Sequence, residues 1–226
     1  FAKTRRVEKV SSSNLDSSIL SKRAGGTTVA GSLRICKLAS ISVFVTGGIG
    51  GVHRDVTESM DISADLQAIK ESTTITVCAG PKTILDIPKT YEALETLSVP
   101  VFSYRQKNLP AFWYRDSGLT STYRVESPEA IANILTIARA TNSANGILLC
   151  NPIPKKFSIE QTYLEPLIAS GVVELKKANI TGKKLTPSLL RYLVKKTNGK
   201  TLHSNIELVK NNAILGARVA KALSAA

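Results

Sequence analysis

Four short apolar runs punctuate the chain, each ending in small or turn-forming residues. Ile41–Thr46 leads into Gly47-Gly48-Ile49-Gly50-Gly51, and Thr73–Cys78 leads into Ala79-Gly80-Pro81. Val99–Tyr104 and Gly146–Asn151 have the same character. Short runs rich in β-branched side chains and bounded by turn formers predict buried strands. Between and after them, apolar residues recur at helical spacing over Asp65–Glu71, Pro128–Ala140 and Ser204–Ala225. A further helix opens at Thr186-Pro187 and stops at Asn198-Gly199, and a helical stretch follows Gly25–Ala30 as far as Ala39. Ser127 before Pro128 reads as a cap followed by proline at the first helical position, where a missing N–H costs nothing. In the last helix Ile206, Val209, Ala213, Leu215 and Val219 fall broadly on one side, the expected buried face. Strands alternating with helices predict an α/β fold, with a mostly parallel sheet flanked by helices in a single domain over 1–226.

Composition narrows the setting. The chain has 226 residues, 43% of them hydrophobic, enough for one sizeable core. No run of about eighteen uncharged apolar residues occurs, so no membrane span is expected. Phe1 in place of a starting Met, with no signal-peptide hydrophobic region, reads as a processed or truncated end. Cys36, Cys78 and Cys150 lie too far apart for a zinc site or a disulfide framework. They predict buried thiols in a reduced intracellular compartment, cytoplasmic or mitochondrial. The net charge of +13 is uneven: residues 1–40 carry eight basic against two acidic residues and 176–226 carry eleven against one. Residues 41–175 carry eleven against fourteen. Basic ends can attract a polyanion such as RNA, or can simply form a solvated surface. No aromatic residues interleave with the lysines there as a base-stacking surface would need.

The candidate chemistry gathers between Thr46 and Asp86. The glycine run after the first apolar strand offers backbone amides to an anion or a sugar, or is simply a tight turn. Its spacing is not that of a dinucleotide fingerprint. Asp61 and Asp65, four residues apart, share a face if one helix spans both. Two such carboxylates can hold a divalent cation or divide acid and base roles. Alternatively Ser63 caps the helix and both aspartates only favour its positive end. Lys82 sits just past a strand end, where catalytic side chains of α/β folds concentrate. In an apolar setting its neutral amine can attack a carbonyl or a ring-opened sugar; on an open loop it is an ordinary surface lysine. Near the start, Gly25–Ala30 either presents free amides to a phosphate or is capped by Thr27 or Thr28. Asn205 reads as a cap of the last helix.

Taken together, the motifs resemble a known family. Lys9-Val-Ser11, Gly26-Thr-Thr-Val-Ala30, Val43–Arg54, Asp61–Leu66, Val77–Asp86, Leu109-Pro-Ala-Phe112, Asn151-Pro-Ile-Pro154, Ser204-Asn-Ile206 and Asn211-Asn-Ala-Ile-Leu215 occur in the order of the pseudouridine-5'-phosphate glycosidases. That family is also called indigoidine-synthase-A-like. The resemblance covers nearly the whole chain. It implies reversible cleavage of the C–C glycosidic bond of pseudouridine 5'-phosphate to uracil and ribose 5-phosphate. It also implies a divalent metal, usually manganese, and a homotrimer. By resemblance Lys82 is the nucleophile that forms a Schiff base with the sugar, and Asp61 is a metal ligand. Ser63, Ala64 and Asp65 would contact substrate, with Lys9 and the Val29 backbone also at the nucleotide. Thr46, His53 and Asn205 match further site positions. The family places a proton-donating glutamate in a segment before the part matched here, so Asp65 becomes the alternative catalytic acid. Lys184 and Arg105-Gln106-Lys107 put basic residues where relatives are often acidic or neutral. These departures leave a second expectation open: an impaired relative acting as a basic scaffold on RNA or in an assembly such as a mitochondrial ribosome.

Overall fold

The computed structural model describes residues 7–143, 145–180, 182 and 185–225. Its first half contains β1 (Glu8–Val10), α1 (Leu15–Leu20), β2 (Gly25–Thr27), α2 (Val29–Leu38), β3 (Val43–Val45), α3 (Val56–Ser59), α4 (Ala64–Glu71), β4 (Ile75–Cys78) and α5 (Ile87–Thr96). Then come β5 (Val101–Tyr104), β6 (Tyr123–Val125), α6 (Pro128–Ala140), β7 (Ile147–Cys150), α7 (Gln161–Lys177), α8 (Leu185–Lys196) and α9 (Lys200–Ser224). β3, β4, β7, β5 and β6 form one parallel sheet in that order, while β1 and β2 make a separate parallel pair. The expected α/β architecture with a parallel sheet between helices is therefore present.

Strand alternation explains how the sheet is covered on both sides. Ile75 and Val77 of β4 and Ile147 and Leu149 of β7 pack with Ile131 and Leu135 of α6 and Leu215 and Val219 of α9. Their neighbours Cys78, Leu148 and Cys150 pack on the opposite side with Leu33 of α2, Leu66 and Ile69 of α4 and Leu94 of α5. A third cluster joins Trp113 to Ile168 of α7 and Leu189 and Leu193 of α8. All three cysteines are buried and free, as their spacing suggested. No helix among the described residues is long and apolar enough to cross a membrane.

Some local expectations need correction. The last helix begins at Lys200, not Ser204, so Asn205 lies inside it and cannot be its cap. Its buried face is Leu208, Asn212, Leu215, Gly216 and Val219, whereas Ile206 and Val209 are exposed and Ala213 points outward with them. The helix sits closer to the sheet than apolar spacing implied: a Cβ on Gly216 would lie 2.2 Å from Val45 Cγ2. α5 and α7 were not expected. Pro166 and Gly171 disguise α7, yet Gly171 is there so that α8 can approach, since a Cβ would meet Leu189 and Tyr192 at 2.7 Å. Arg105 is tied down locally, stacking on the Tyr104 ring and donating to Glu126 O at 2.7 Å. Phe1, Lys183 and Lys184 lie outside the described residues.

Candidate active site

The cleft forms at the carboxyl ends of β3 and β4, where the glycine turn and the segment ending at Lys82 run side by side. Ile49 donates to Gly80 O at 3.2 Å, and Lys82 N–H returns to Ile49 O at 3.1 Å. Gly80 has φ +87, and a Cβ there would lie 2.2 Å from Pro110 O, so neither its conformation nor its space admits a side chain. These constraints fix where Lys82 leaves the backbone. Its side chain enters a cavity of about 510 Å³ together with Lys9, Val29, His53, Asp61, Ser63, Ala64 and Asp65. Eight of the expected site residues thus meet in one place, from β1, the α2 N-terminus, the β3–α3 loop, the α3–α4 connection with the α4 N-terminus, and the β4–α5 loop.

Asp65 occupies the centre of the wall. It is 5% exposed, and its two oxygens accept the backbone N–H groups of Ala30 at 2.9 Å and Gly50 at 2.7 Å. The carboxylate therefore ties α2, the glycine turn and α4 together. Both carboxylate oxygens are engaged by backbone donors, so the side chain anchors the cleft wall. Ser63 caps α4 by accepting from Asp65 N–H, and Thr28 caps α2 by accepting from Gly31 N–H. The capping accounts of both threonine and serine hold, while the shared-helix account of Asp61 and Asp65 does not. Asp61 precedes the cap and leaves the helix axis.

Burial pushes the Lys82 amine below the usual lysine range; the Asp65 carboxylate opposes that shift and Lys9 adds to it. A partly dehydrated lysine loses its proton more readily and becomes a nucleophile nearer neutral pH. It is not a surface lysine.

Asp61 is about one-third exposed, with its carboxylate 3.8 Å from His53 Nε2. The two are also joined through the backbone, His53 N–H donating to Asp61 O at 3.0 Å. No group of three or more His, Cys, Asp or Glu side chains converges among the described residues. One carboxylate and one nearby imidazole on an open cleft fit a hard, largely hydrated divalent cation and not a closed four-ligand zinc site.

Thr46 and Asn205 do not line the cleft. Thr46 closes β3 with N–H to Val77 O at 3.0 Å, and Asn205 packs beside Gly47, where an added Cβ would meet its Oδ1 at 3.3 Å. Conversely, Ser11, Ser13 and Asn14 before α1 and Thr186, Pro187 and Leu190 of α8 line it without having been singled out. Local sequence carries no signal for them, because only the tertiary fold brings α8 over the site.

The sequence profile described as "Indigoidine synthase A like protein" matches residues 1–222. Similar proteins include the pseudouridine-5'-phosphate glycosidase of Staphylococcus aureus (strain MW2), 46% identical over 99% of this chain and 73% of that protein. The glycosidase of Methylobacterium nodulans is 46% identical over 98% of this chain and 66% of that protein. The chain therefore spans about two-thirds to three-quarters of these relatives' length. Among solved structures, the prealnumycin C-glycosynthase in complex with ribulose 5-phosphate superposes with TM-score 0.92 at 31% identity, covering 99% of this chain and 74% of that one. An indigoidine-synthase-A-like protein from Thermotoga maritima gives TM-score 0.89 at 31% identity, covering 97% and 72%.

Proposed function

The chain belongs to the indigoidine-synthase-A-like family, and on that premise we propose that it reversibly cleaves the C–C glycosidic bond of pseudouridine 5'-phosphate. The carrying observation is Lys82, an amine of lowered basicity buried beside the Asp65 anion in a cavity of about 510 Å³. A carbon leaving group gains little from protonation of an oxygen, so the sugar carbon needs an electron source. The neutral Lys82 amine supplies it. Its nitrogen bonds to C1' as the C1'–O4' bond breaks and O4' takes a proton. The nitrogen lone pair then forms C=N while the C1'–C5 bond breaks, and C5 of uracil takes a proton. Water hydrolyses the resulting iminium, which releases ribose 5-phosphate and restores the amine.

In this reading Asp65 holds the lysine's charge balance and anchors the cleft wall. Lys9 and the Val29 N–H at the start of α2 face the phosphate, since the neighbouring Ala30 and Gly31 amides already bond to Asp65 and Thr28. Ser63 and Ala64 frame the sugar. Asp61, with His53 beside it, would hold a divalent cation such as Mn²⁺, whose positive charge would favour an anionic substrate. The exposed apolar residues Leu202, Ile206 and Val209 along α9 support self-association, as in the expected homotrimer. The named relatives are bacterial, which supports a cytoplasmic rather than a mitochondrial setting. The scaffold alternative is not favoured, because identity of 46% to named glycosidases runs along nearly the whole chain and the lysine–aspartate cleft is retained.

Borohydride reduction in the presence of ribose 5-phosphate tests the reading. A stable sugar-phosphate adduct on the peptide holding Lys82 is expected. An adduct on another lysine, or none, would remove Lys82 as the nucleophile.

A further inference from the structure

One buried polar side chain has no part in the chemistry above. Asn212 sits midway along α9, 0% exposed, on a face otherwise built from Leu208, Leu215 and Val219. A leucine there would continue the apolar stripe and spare the cost of burying an amide. Instead, Asn212 Nδ2 donates to Thr46 O at 2.9 Å and Gly47 O at 3.3 Å, and its Oδ1 accepts from Asn151 Nδ2 at 3.1 Å. Asn151, at the end of β7, also donates its backbone N–H to Cys78 O at 2.7 Å. The amide thus bridges β3, α9 and the β7 end and is fully used.

What it holds is the entry to the glycine turn. Gly47 O also takes the N–H of Ala79 at 2.9 Å, so two donors fix it. The close approach is built in, because a Cβ on Gly47 would meet Val209, Asn205 and Leu208 at 3.1–3.3 Å. Two residues further on, Ile49 O receives the N–H of Lys82, and Gly50 N–H holds the Asp65 carboxylate. The nucleophile and its counter-charge therefore hang from one short turn, and the start of that turn is fixed by Asn212.

We infer that Asn212, oriented by Asn151, is a positioning residue: it sets the glycine turn and through it the placement of Lys82 against Asp65. The inference rests on the reading of Lys82 as nucleophile, and its test separates the two. Removing the amide leaves the Thr46 and Gly47 carbonyls without this donor and Asn151 without its acceptor, and lets the turn shift. A displacement of about 1 Å at a reacting group can cost about a hundredfold in rate.

The test uses the whole chain as Asn212→Ala and Asn151→Ala, with Leu215→Ala as a control of similar origin, a buried side chain of the same helix face away from the turn. Two readouts are taken on each folded variant. The first is borohydride trapping of ribose 5-phosphate, as a rate at saturating sugar and as an apparent KM. The second needs no sugar: the pH midpoint of Lys82 acylation by acetic anhydride, followed by peptide mass spectrometry. Asn212→Ala is expected to lower the saturating rate about ten- to a hundredfold, with KM within about threefold, and to move the Lys82 midpoint. Asn151→Ala should change both in the same direction, by less. Leu215→Ala should lower Tm and leave both readouts at wild-type values. Should wild type fail to trap sugar at Lys82, the glycosidase reading falls, while a moved acylation midpoint in Asn212→Ala still supports positioning. An unmoved midpoint in Asn212→Ala, or equal changes in Leu215→Ala, overturns the positioning role. If Asn212→Ala does not fold, Asn151→Ala decides by the same criteria.

Discussion

Gly50 donates its backbone N–H to Asp65 Oδ2 at 2.7 Å, and that bond joins the glycine turn to the first turn of α4. The contact is close enough to exclude any side chain. A Cβ on Gly50 would lie 2.3 Å from Ser63 Oγ and 2.9 Å from Asp65 Oδ2. A cap, a counter-charge and a turn therefore share one small volume. The glycine at this position is explained by approach, not by a left-handed conformation.

Asp65→Asn tests the carboxylate as a double acceptor. An amide can accept from Ala30 or Gly50, but its NH₂ must then face the other N–H. One buried donor loses its partner, at a cost of about 1–3 kcal/mol. The urea midpoint should fall accordingly. Because Asp65 opposes the downward shift of the Lys82 amine, its neutralisation should also lower the pH midpoint of Lys82 acylation. A midpoint that stays or rises would mean the carboxylate does not act on the lysine.

The lowered basicity of Lys82 carries a stability consequence of definite sign. Between its folded value and the ordinary 10.5, the unfolded chain binds more protons than the folded one, so stability rises with pH in that window. Below the folded value both states hold the proton, and the whole cost of burying the cation remains. Lys82→Met should therefore stabilise the fold most below that folded value. Its Tm advantage over wild type should shrink as pH approaches about 10. A Tm difference constant over that range would show that the folded lysine titrates like a free one.

Metal binding should depend on Asp61 more than on His53. The carboxylate is the hard oxygen donor of the pair, and the imidazole, 3.8 Å away, supports it. Loss of an outer partner typically costs about 10- to 100-fold in metal affinity. Manganese titration should show His53→Ala in that range and Asp61→Asn beyond it. Equal affinities in Asp61→Asn and wild type would remove the aspartate from any metal site.

The parts of the site legible in sequence were those fixed locally. Thr28 and Ser63 cap helices because a short hydroxyl side chain before an amphipathic run does so in most settings. The β4 run predicted the strand end that carries Lys82. What could not be read was which carboxylate the backbone ties into the cleft wall. Asp61 and Asp65 look equivalent by spacing, and only the approach of Ala30 and Gly50 amides distinguishes them. The buried face of α9 was misjudged for a related reason. Asn212 and Gly216 face the sheet for hydrogen bonding and close packing, which hydrophobic periodicity cannot register, while Ile206 and Val209 stay exposed.

The far side of the Lys82 segment is braced against α7. Arg54 grips Glu165 of α7 through two bonds, at 2.6 and 3.0 Å, and also donates to Thr83 O at 2.9 Å, directly after Lys82. Tyr114 donates its hydroxyl to the same Glu165 Oε1 at 3.1 Å. The ion pair is about one-third exposed, at 35% and 30%, so water screens part of its attraction. Its forked geometry keeps it at the favourable end of the range for such pairs, about 1 kcal/mol. Arg54→Lys keeps the charge and loses the fork, and should cost a similar amount in urea denaturation. Burial, reinforced by the Glu165 anion, also holds the Tyr114 phenol far above its usual range. Glu165→Gln removes the negative charge, so Tyr114 should ionise at lower pH than in wild type. Ultraviolet titration near 295 nm, compared with Tyr114→Phe to assign the transition, reads this directly. Superimposable titrations of wild type and Glu165→Gln would mean that Glu165 does not govern the phenol.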